Sequence, residues 1–497
     1  MKYDFHTIVI GAGSAGLVTA GILANLGAKV ALIEKNKMGG DCLNTGCVPS
    51  KTLLYHGDKG FHSRKENSQK EEYFEEIMDK VHRTIEKIAP HDSKERFENM
   101  GVTVLKGRAR LLDVHQVEIS LIDAFINNGA KSPQAEAKEK KRIISGKYVV
   151  IATGSKPRVP KLDGLENISY LTNENLFSLK KPPKKLLIWG AGPISMEMGQ
   201  AFQKLGSEVV IISRSHRLFK KDEPEVHPLM KEILETEGLH FYFGYDPLKI
   251  RVSDETAGKS KFNLIIRNRK TGEEKPLEGD QFLIALGRVP STENLGLEKG
   301  GVKVDARGYV KVNQYLQTSN KSIYACGDVL GDYQFTHMAG YEAEIVARNL
   351  LSPIKTKADY SKVVWSTYTT PQVAHSGYTE TSAKDAGQLG KALVKTFEEV
   401  DKNIIDKDTK GFVKLILNPR DRVIGGTVVS REAGEMIGMV SLAISKKMKV
   451  SSFQNLIYSY PTKSEIFKSL AVDNLQHSVK PWQRNLLKKW LTRCTKS

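Results

Sequence analysis

The sequence predicts an α/β fold: two Rossmann-like (doubly wound, three-layer) nucleotide-binding domains, followed by a C-terminal α+β domain. Three observations predict it. An apolar strand, a glycine turn and an amphipathic helix open the chain in HTIVIGAGSAGLVTAGILANLGAKVALIEK. The same plan recurs in KKLLIWGAGPISMEMGQAFQKLGSEVVIISRSHRLFKK. From about Ser361 the pattern changes to strands with long loops, as in GFVKLILNPRDRVIGGTVVS. A chain of 497 residues is long enough for more than one domain.

In the first unit, Gly11, Gly13 and Gly16 permit the turn and the close approach of a pyrophosphate to the helix N-terminus at Ser14. Glu34, with Lys35 beside it, ends the second strand where a carboxylate accepts from a ribose hydroxyl. The second unit keeps Gly190 and Gly192 but has Ser195 in place of the third glycine. Its second strand ends in Ser213 and Arg214, with Lys220 and Lys221 following. An acid there would repel a 2′-phosphate, whereas arginine and lysine would bind it, so NADPH is expected over NADH, with NADH still possible.

Between these units lies GGDCLNTGCVPSK, Gly39 to Lys51. The chain holds four cysteines, Cys42, Cys47, Cys326 and Cys494, too few for a secreted disulfide scaffold. No second pair exists to complete a structural zinc site, and no metal ligands are assigned. Pro49 suits the first turn of a helix, expected from Val48 or Pro49 to Tyr55. The glycine and asparagine turn would then fold Cys42 back over the start of that helix, leaving Cys47 where the dipole stabilises a thiolate. A redox-active pair is the reading this favours.

Residues 57 to 100 carry spaced apolar residues, among them Phe74, Ile77, Met78, Val81, Ile85 and Ile88, and read as one long amphipathic helix. His56, His62, His82 and His91 are irregularly spaced and are expected at the surface. Asn127 to Arg142 reads as a solvated excursion. The formal net charge is +18, but the lysines are scattered and no nucleic-acid module is recognisable, so no nucleic-acid partner is expected. No apolar run is long enough for a bilayer and the N-terminus does not read as a signal peptide, which points to the cytoplasm.

The Gly-Gly-x-Cys-x-Asn-x-Gly-Cys-x-Pro-Ser-Lys motif, together with both glycine turns, resembles the class I pyridine nucleotide–disulfide oxidoreductases, the group of glutathione reductase, dihydrolipoamide dehydrogenase and mercuric reductase. The resemblance covers essentially the whole length. It implies FAD and NADPH as cofactors, with Cys42 the interchange thiol and Cys47 beside the flavin. Lys51 would lie near the flavin and pair with Glu197. Asp328, after the strand SIYACGDV, would hold the ribityl chain, and Thr336 would approach the pyrimidine end. Gly40, Asp41, Thr153, Gly154, Gly287, Arg288 and Gly327 complete the expected cofactor-binding set. The implied domains are 1–160 and 288–355 for FAD, 161–287 for NAD(P)H, 356–475 for dimerisation, and a basic amphipathic tail, 476–497. A homodimer is implied, with the C-terminal segment of one subunit completing its partner's active site.

Three departures stand out. Pro193 occupies the family's gating-tyrosine position, and the usual histidine of the C-terminal motif is Tyr460, followed by Glu465. Tyrosine there resembles mercuric reductase, yet the vicinal cysteines near that enzyme's C-terminus are absent and only Cys494 is present. The expected acceptor is a small molecule or a soft metal ion such as Hg(II). The alternatives are a lipoamide or glutathione reductase, or a flavin-bound sensor or membrane-associated protein. The third departure is the tail, whose Trp482, Leu486, Leu487, Trp490 and Leu491 share one helical face. Such a helix suits docking on the protein's own surface, which is the expectation, or weak contact with a membrane surface.

Overall fold

The computed structural model describes residues 2–61, 67–121, 140–254, 261–478 and 481–495. The expected excursion at 127–142 and His62 lie almost wholly outside these. The chain divides into two compact units, one of residues 1–216 and 237–359, the other of 217–236 and 360–497.

The first unit begins with β1 (Phe5–Ile10), α1 (Ser14–Asn25), β2 (Val30–Glu34), α2 (Gly40–Asn44) and α3 (Cys47–Phe61). There follow α4 (Asn67–Ile88), α5 (Lys94–Asn99), β3 (Thr103–Leu111), β4 (Gln116–Leu121), β5 (Lys141–Ile151) and β6 (Ser155–Pro157). β1 pairs in parallel with β2 on one side and β5 on the other; β2 continues in parallel to β3, and β5 to the strand Ile323–Ala325. β4 bridges β3 and β5 antiparallel. Central parallel strands are covered on both faces, which is why Ile8, Val9 and Ile10 form a continuous buried apolar run. Val9 and Leu32 pack with Leu17 and Leu23 of α1 and with Ala343 and Val346 of the helix Thr336–Leu351. Ile8, Ile10 and Ile33 pack on the opposite face with Ile119 and Ile144.

The second glycine unit comprises β7 (Lys185–Trp189), α6 (Pro193–Lys204) and β8 (Glu208–Ser213). A parallel sheet runs from the strand Gln281–Ile284 through β7 and β8 to His240–Phe243. An antiparallel sheet of Tyr245–Asp254, Lys261–Asn268 and Glu274–Gly279 accompanies it.

The second unit is built on a five-stranded antiparallel sheet, in the order Val364–Thr367, Gln372–Gly377, Val423–Ser430, Phe412–Leu417 and Lys391–Thr396. Its core joins Val413, Leu415 and Val428 to Met436, Val440, Ile466 and Phe467 from two helices. A buried lysine, Lys414, is held by Glu223, Glu225 and Glu380 at 2.7–3.0 Å.

Two expectations are corrected. The expected single helix over 57–100 does not run through to residue 100. α4 ends at Ile88, Ala89–Asp92 forms a 3-10 turn with Pro90 near its start, and α5 begins at Lys94. Proline cannot donate to a continuing helix, and Ser93 then caps α5 by accepting from the Arg96 N–H at 3.2 Å. The tail helix Pro481–Cys494 forms, but its apolar face is not docked: Trp482, Leu486, Leu487, Trp490 and Leu491 are 53–64% exposed.

Candidate active site

The glycines of the first turn are set by close backbone approach. A Cβ on Gly11, whose φ is +104°, would lie 2.3 Å from the Ala152 carbonyl oxygen, and one on Gly16 would lie 1.8 Å from that of Gly11. Gly40, at φ +57°, packs against the Gly13 backbone, where a Cβ would lie 2.7 Å from Cα. Gly13 therefore N-caps α1 without a side chain, and the first turn contains no acid, so its N–H groups and positive dipole end suit a phosphate. Glu34 accepts from the N–H of Ala12 at 2.7 Å and of Asn36 at 2.6 Å, so it braces the turn and keeps further lone pairs for a hydroxyl. Thr153 Oγ1 is buried without a hydrogen-bond partner among the described residues. This donor set fits a dinucleotide such as FAD: a bare helix N-terminus for the pyrophosphate, a carboxylate for the ribose, and an unpaired hydroxyl nearby in sequence to the β5 turn.

Ser14 is half-buried at the start of α1 and Lys35 is exposed. Gly154, Gly287 and Gly327 all sit at positive φ, and a Cβ on either of the first two would meet nothing within 4 Å. Arg288 links the other expected residues. Its guanidinium pairs with Asp41, donates to Ser155 and lies 3.6 Å from Asp328, whose Oδ2 accepts from Ser155 Oγ at 2.7 Å. Burial raises the Asp328 carboxyl, while Ser155 and Arg288 counter it. Ser155 was not expected, although it stands in the same ATGSKPRVP segment as Gly154.

The cysteines lie on separate helices. Cys42 is half-buried on the short α2, and Cys47 is the exposed first residue of α3. Helix α3 begins one residue earlier than expected and Pro49 occupies its third position, where no N–H is needed. Asn44 braces α2 by donating to the carbonyls of Met38 and Gly40 at 3.0 and 2.8 Å. Gly46 lets the chain pass close over Asp41, where a Cβ would lie 2.8 Å from the carbonyl oxygen.

Both thiols are free, and their environments are opposite. Cys47 is lowered to about 6: the Cys42 thiol donates to it, the Thr336 hydroxyl stands 3.3 Å away, and the Lys51 ammonium lies one turn along α3. Cys42 is pushed up by its hydrogen bond to Cys47, by burial, and by the negative charge of Cys47 and then of Asp92. Asp92 approaches from the 3-10 turn; a Cβ on Gly39 would lie 3.0 Å from its Oδ2. Nothing in the sequence pairs it with Cys42, fifty positions away. Lys51 Nζ meets Glu197 Oε2 at 2.7 Å, and Glu197 is buried on α6. This pair joins the cysteine helix to the second glycine unit.

In that unit Gly190, at φ +134°, would place a Cβ 2.3 Å from the Ala285 carbonyl oxygen, and Gly192 caps α6 with Pro193 following. Space beside Gly192 is open, and no acid occupies the first turn of α6. Ser213 is buried at the end of β8, and Arg214 is exposed immediately after it. Lys220, Tyr460 and Glu465 belong to the second compact unit. Lys220 is exposed there. Tyr460 donates to Asp401 Oδ2 at 2.7 Å, and Glu465 accepts from the Thr462 N–H at 3.2 Å.

A glycine-capped dinucleotide cradle, a second nucleotide unit and a polarised dithiol joined to it by Lys51 and Glu197 define a pyridine-nucleotide-dependent flavoprotein of the dithiol type. The chain belongs to the pyridine nucleotide-disulphide oxidoreductases: the family model matches residues 5–343, and the family's dimerisation domain matches residues 363–471. It is 34% identical to a mercuric reductase of Staphylococcus aureus, over 94% of this chain and 82% of that protein. It is 32% identical to a dihydrolipoyl dehydrogenase of the same organism, over 93% and 95%. Its fold is similar to the Cu(II) complex of the HOCl-induced flavoprotein disulfide reductase RclA from Escherichia coli, with TM-score 0.81 and 25% identity, covering 95% of this chain and 99% of that one. The family binds FAD and uses NAD(P)H, and the dimerisation-domain match supports a homodimer. Among the described residues, no helix is long and apolar enough to cross a membrane.

Proposed function

We propose that this oxidoreductase takes electrons preferentially from NADPH and delivers them through the Cys42–Cys47 pair to a soft metal ion such as Hg(II), and that thiol–disulfide exchange with lipoamide or glutathione is not its main reaction. Tyr460 carries the reading. An exchange reaction releases a thiolate that must be protonated, and a histidine titrating near neutrality serves that need. The Tyr460 hydroxyl, donating to Asp401, is held above its ordinary value of about 10 by that hydrogen bond and by the adjacent negative charge. It therefore neither accepts nor returns protons readily at neutral pH. Binding a soft metal ion needs two thiolates and no protonated leaving group. A relative named a mercuric reductase and a fold neighbour described as a Cu(II) complex support the reading, while another relative is named a dihydrolipoyl dehydrogenase.

Glycines 11, 13, 16 and 40, with Glu34, would hold FAD, which when bound supplies the two-electron relay between nicotinamide and disulfide. Arg214 binds the 2′-phosphate, and Gly190 and Gly192 admit the pyrophosphate at α6. The hydrogen bond from Cys42, with Thr336 and then the Lys51 charge adding to it, favours the Cys47 thiolate. Cys42, still protonated, must lose its proton as the metal ion binds, so that both sulfurs ligate the substrate. Return of the pair to the disulfide supplies two electrons, which balances reduction of one Hg(II) ion to the metal; the two thiol protons are released to solvent. NADPH oxidation measured against Hg(II), Cu(II), lipoamide and oxidised glutathione tests the proposal; brisk lipoamide or glutathione turnover with no metal-dependent turnover contradicts it.

A further inference from the structure

The helix Pro481–Cys494 lies beyond the dimerisation-domain match, which ends at residue 471. It presents Trp482, Leu486, Leu487, Trp490 and Leu491 on one side, each more than half exposed. At 100° per residue these five span one half of the helix circumference, a half that also contains Gln483 and Arg493, while Arg484, Lys488 and Lys489 lie outside it. From residue 474 to 497 there are six lysines and arginines and no aspartate or glutamate. The helix is tied to the preceding one by Arg484, which donates to the Gln476 carbonyl at 2.7 Å.

We propose that this helix binds an anionic lipid surface, lying in the interface plane. Fourteen residues rise about 21 Å, short of the roughly 30 Å hydrocarbon thickness, so the helix lies on a bilayer and does not cross it. Tryptophan and leucine on one face enter the headgroup boundary, while lysine and arginine stems extend back to anionic headgroups. Charge decides between occupants. The same helix of a second copy is equally free of acids, so pairing helix to helix would set like charges together. An anionic leaflet offers both an apolar layer and negative charge, and attracts each basic residue within a Debye length. The inference is independent of the electron acceptor.

Co-sedimentation of the FAD-loaded full chain tests it, with vesicles of phosphatidylcholine alone and vesicles containing phosphatidylglycerol. The full chain is expected to pellet with the anionic vesicles and to be released as salt is raised. A version ending at Ser478 is expected to remain in the supernatant with its FAD retained. Trp482→Ala with Trp490→Ala, and separately Lys488→Glu with Lys489→Glu, are each expected to weaken binding at least about tenfold. The inference is overturned if the full chain fails to pellet, if the shortened version pellets equally, or if charge reversal has no effect. It is equally overturned if the helix is needed only for dimerisation, or only for shifting DNA in a gel.

Discussion

The two glycine turns share a strand, a turn and a helix, and they differ where chemistry is decided. In the first, Gly16 brings α1 so close to the Gly11 carbonyl that any side chain is excluded. In the second, Ser195 fills the same position, buried and without a partner for its hydroxyl among the described residues. The first strand pair ends in Glu34, fixed by two backbone N–H groups; the second ends in exposed Arg214. The first turn is assigned by the proposal to the resident dinucleotide. The other, with exposed Arg214 after its strand, is assigned by the proposal to the 2′-phosphate of NADPH. The cysteine helix lies where the two halves are joined, through Lys51 and Glu197.

The largest expected effect removes what both halves serve. Cys42→Ala is expected to lower acceptor turnover at least about a thousandfold while bound FAD and its reduction by NADPH persist, as read by absorbance in anaerobic mixing. Loss of flavin reduction in that variant would place Cys42 in the wrong role. Next, Arg214→Glu is expected to shift the ratio of kcat/KM for NADPH over NADH by about 1.5–3 kcal/mol, roughly ten- to a hundredfold, through the lost phosphate contact. Equal use of both nucleotides by the unmutated protein would remove the contrast between Glu34 and Arg214.

The glycine contrast itself is broken or sharpened by one pair of variants. Gly16→Ala is expected to cost at least about 2 kcal/mol and to lower FAD retention, because its Cβ has no space. Ser195→Ala deletes an unpartnered hydroxyl and is expected to change thermal stability by less than about 1 kcal/mol. A smaller effect concerns the two thiols. Cys47, lowered to about 6, is expected to react with iodoacetamide at a rate that is flat at neutral pH and falls as pH drops through about 6, since protonation removes the nucleophile. Lys51→Met removes a cation that favours the thiolate and is expected to move that midpoint upward. An unchanged midpoint would show that the hydrogen bonds from Cys42 and Thr336 set it without Lys51.

Much of this site was legible because glycine spacing and the Cys42–Cys47 motif encode local backbone requirements. Gly11, Gly16 and Gly190 meet such requirements within a few residues or across one strand pair. What escaped depends on distant segments. Asp92 reaches the cysteine turn from a 3-10 segment, and that segment exists because Pro90 and Ser93 break what apolar periodicity presents as one helix. Ser155 joins Arg288, Asp41 and Asp328 through tertiary pairing of short strands, which leaves no periodic trace. The tail shows the opposite limit. Its amphipathic pattern was plain, but only exposure in the fold distinguishes a docked helix from a presented one.

The central claim is that the pair serves a soft metal ion and that Tyr460 disfavours thiol exchange. The most direct measurement is steady-state NADPH oxidation by the FAD-loaded enzyme and its Tyr460→His variant, with Hg(II), lipoamide and oxidised glutathione as acceptors. The unmutated enzyme is expected to turn over the metal ion at least about tenfold faster than either disulfide, and the histidine variant to gain at least about tenfold on the disulfides, within the range of general acid–base catalysis. Rapid disulfide turnover by the unmutated enzyme, unimproved by histidine and unaccompanied by metal-dependent oxidation, would contradict the account.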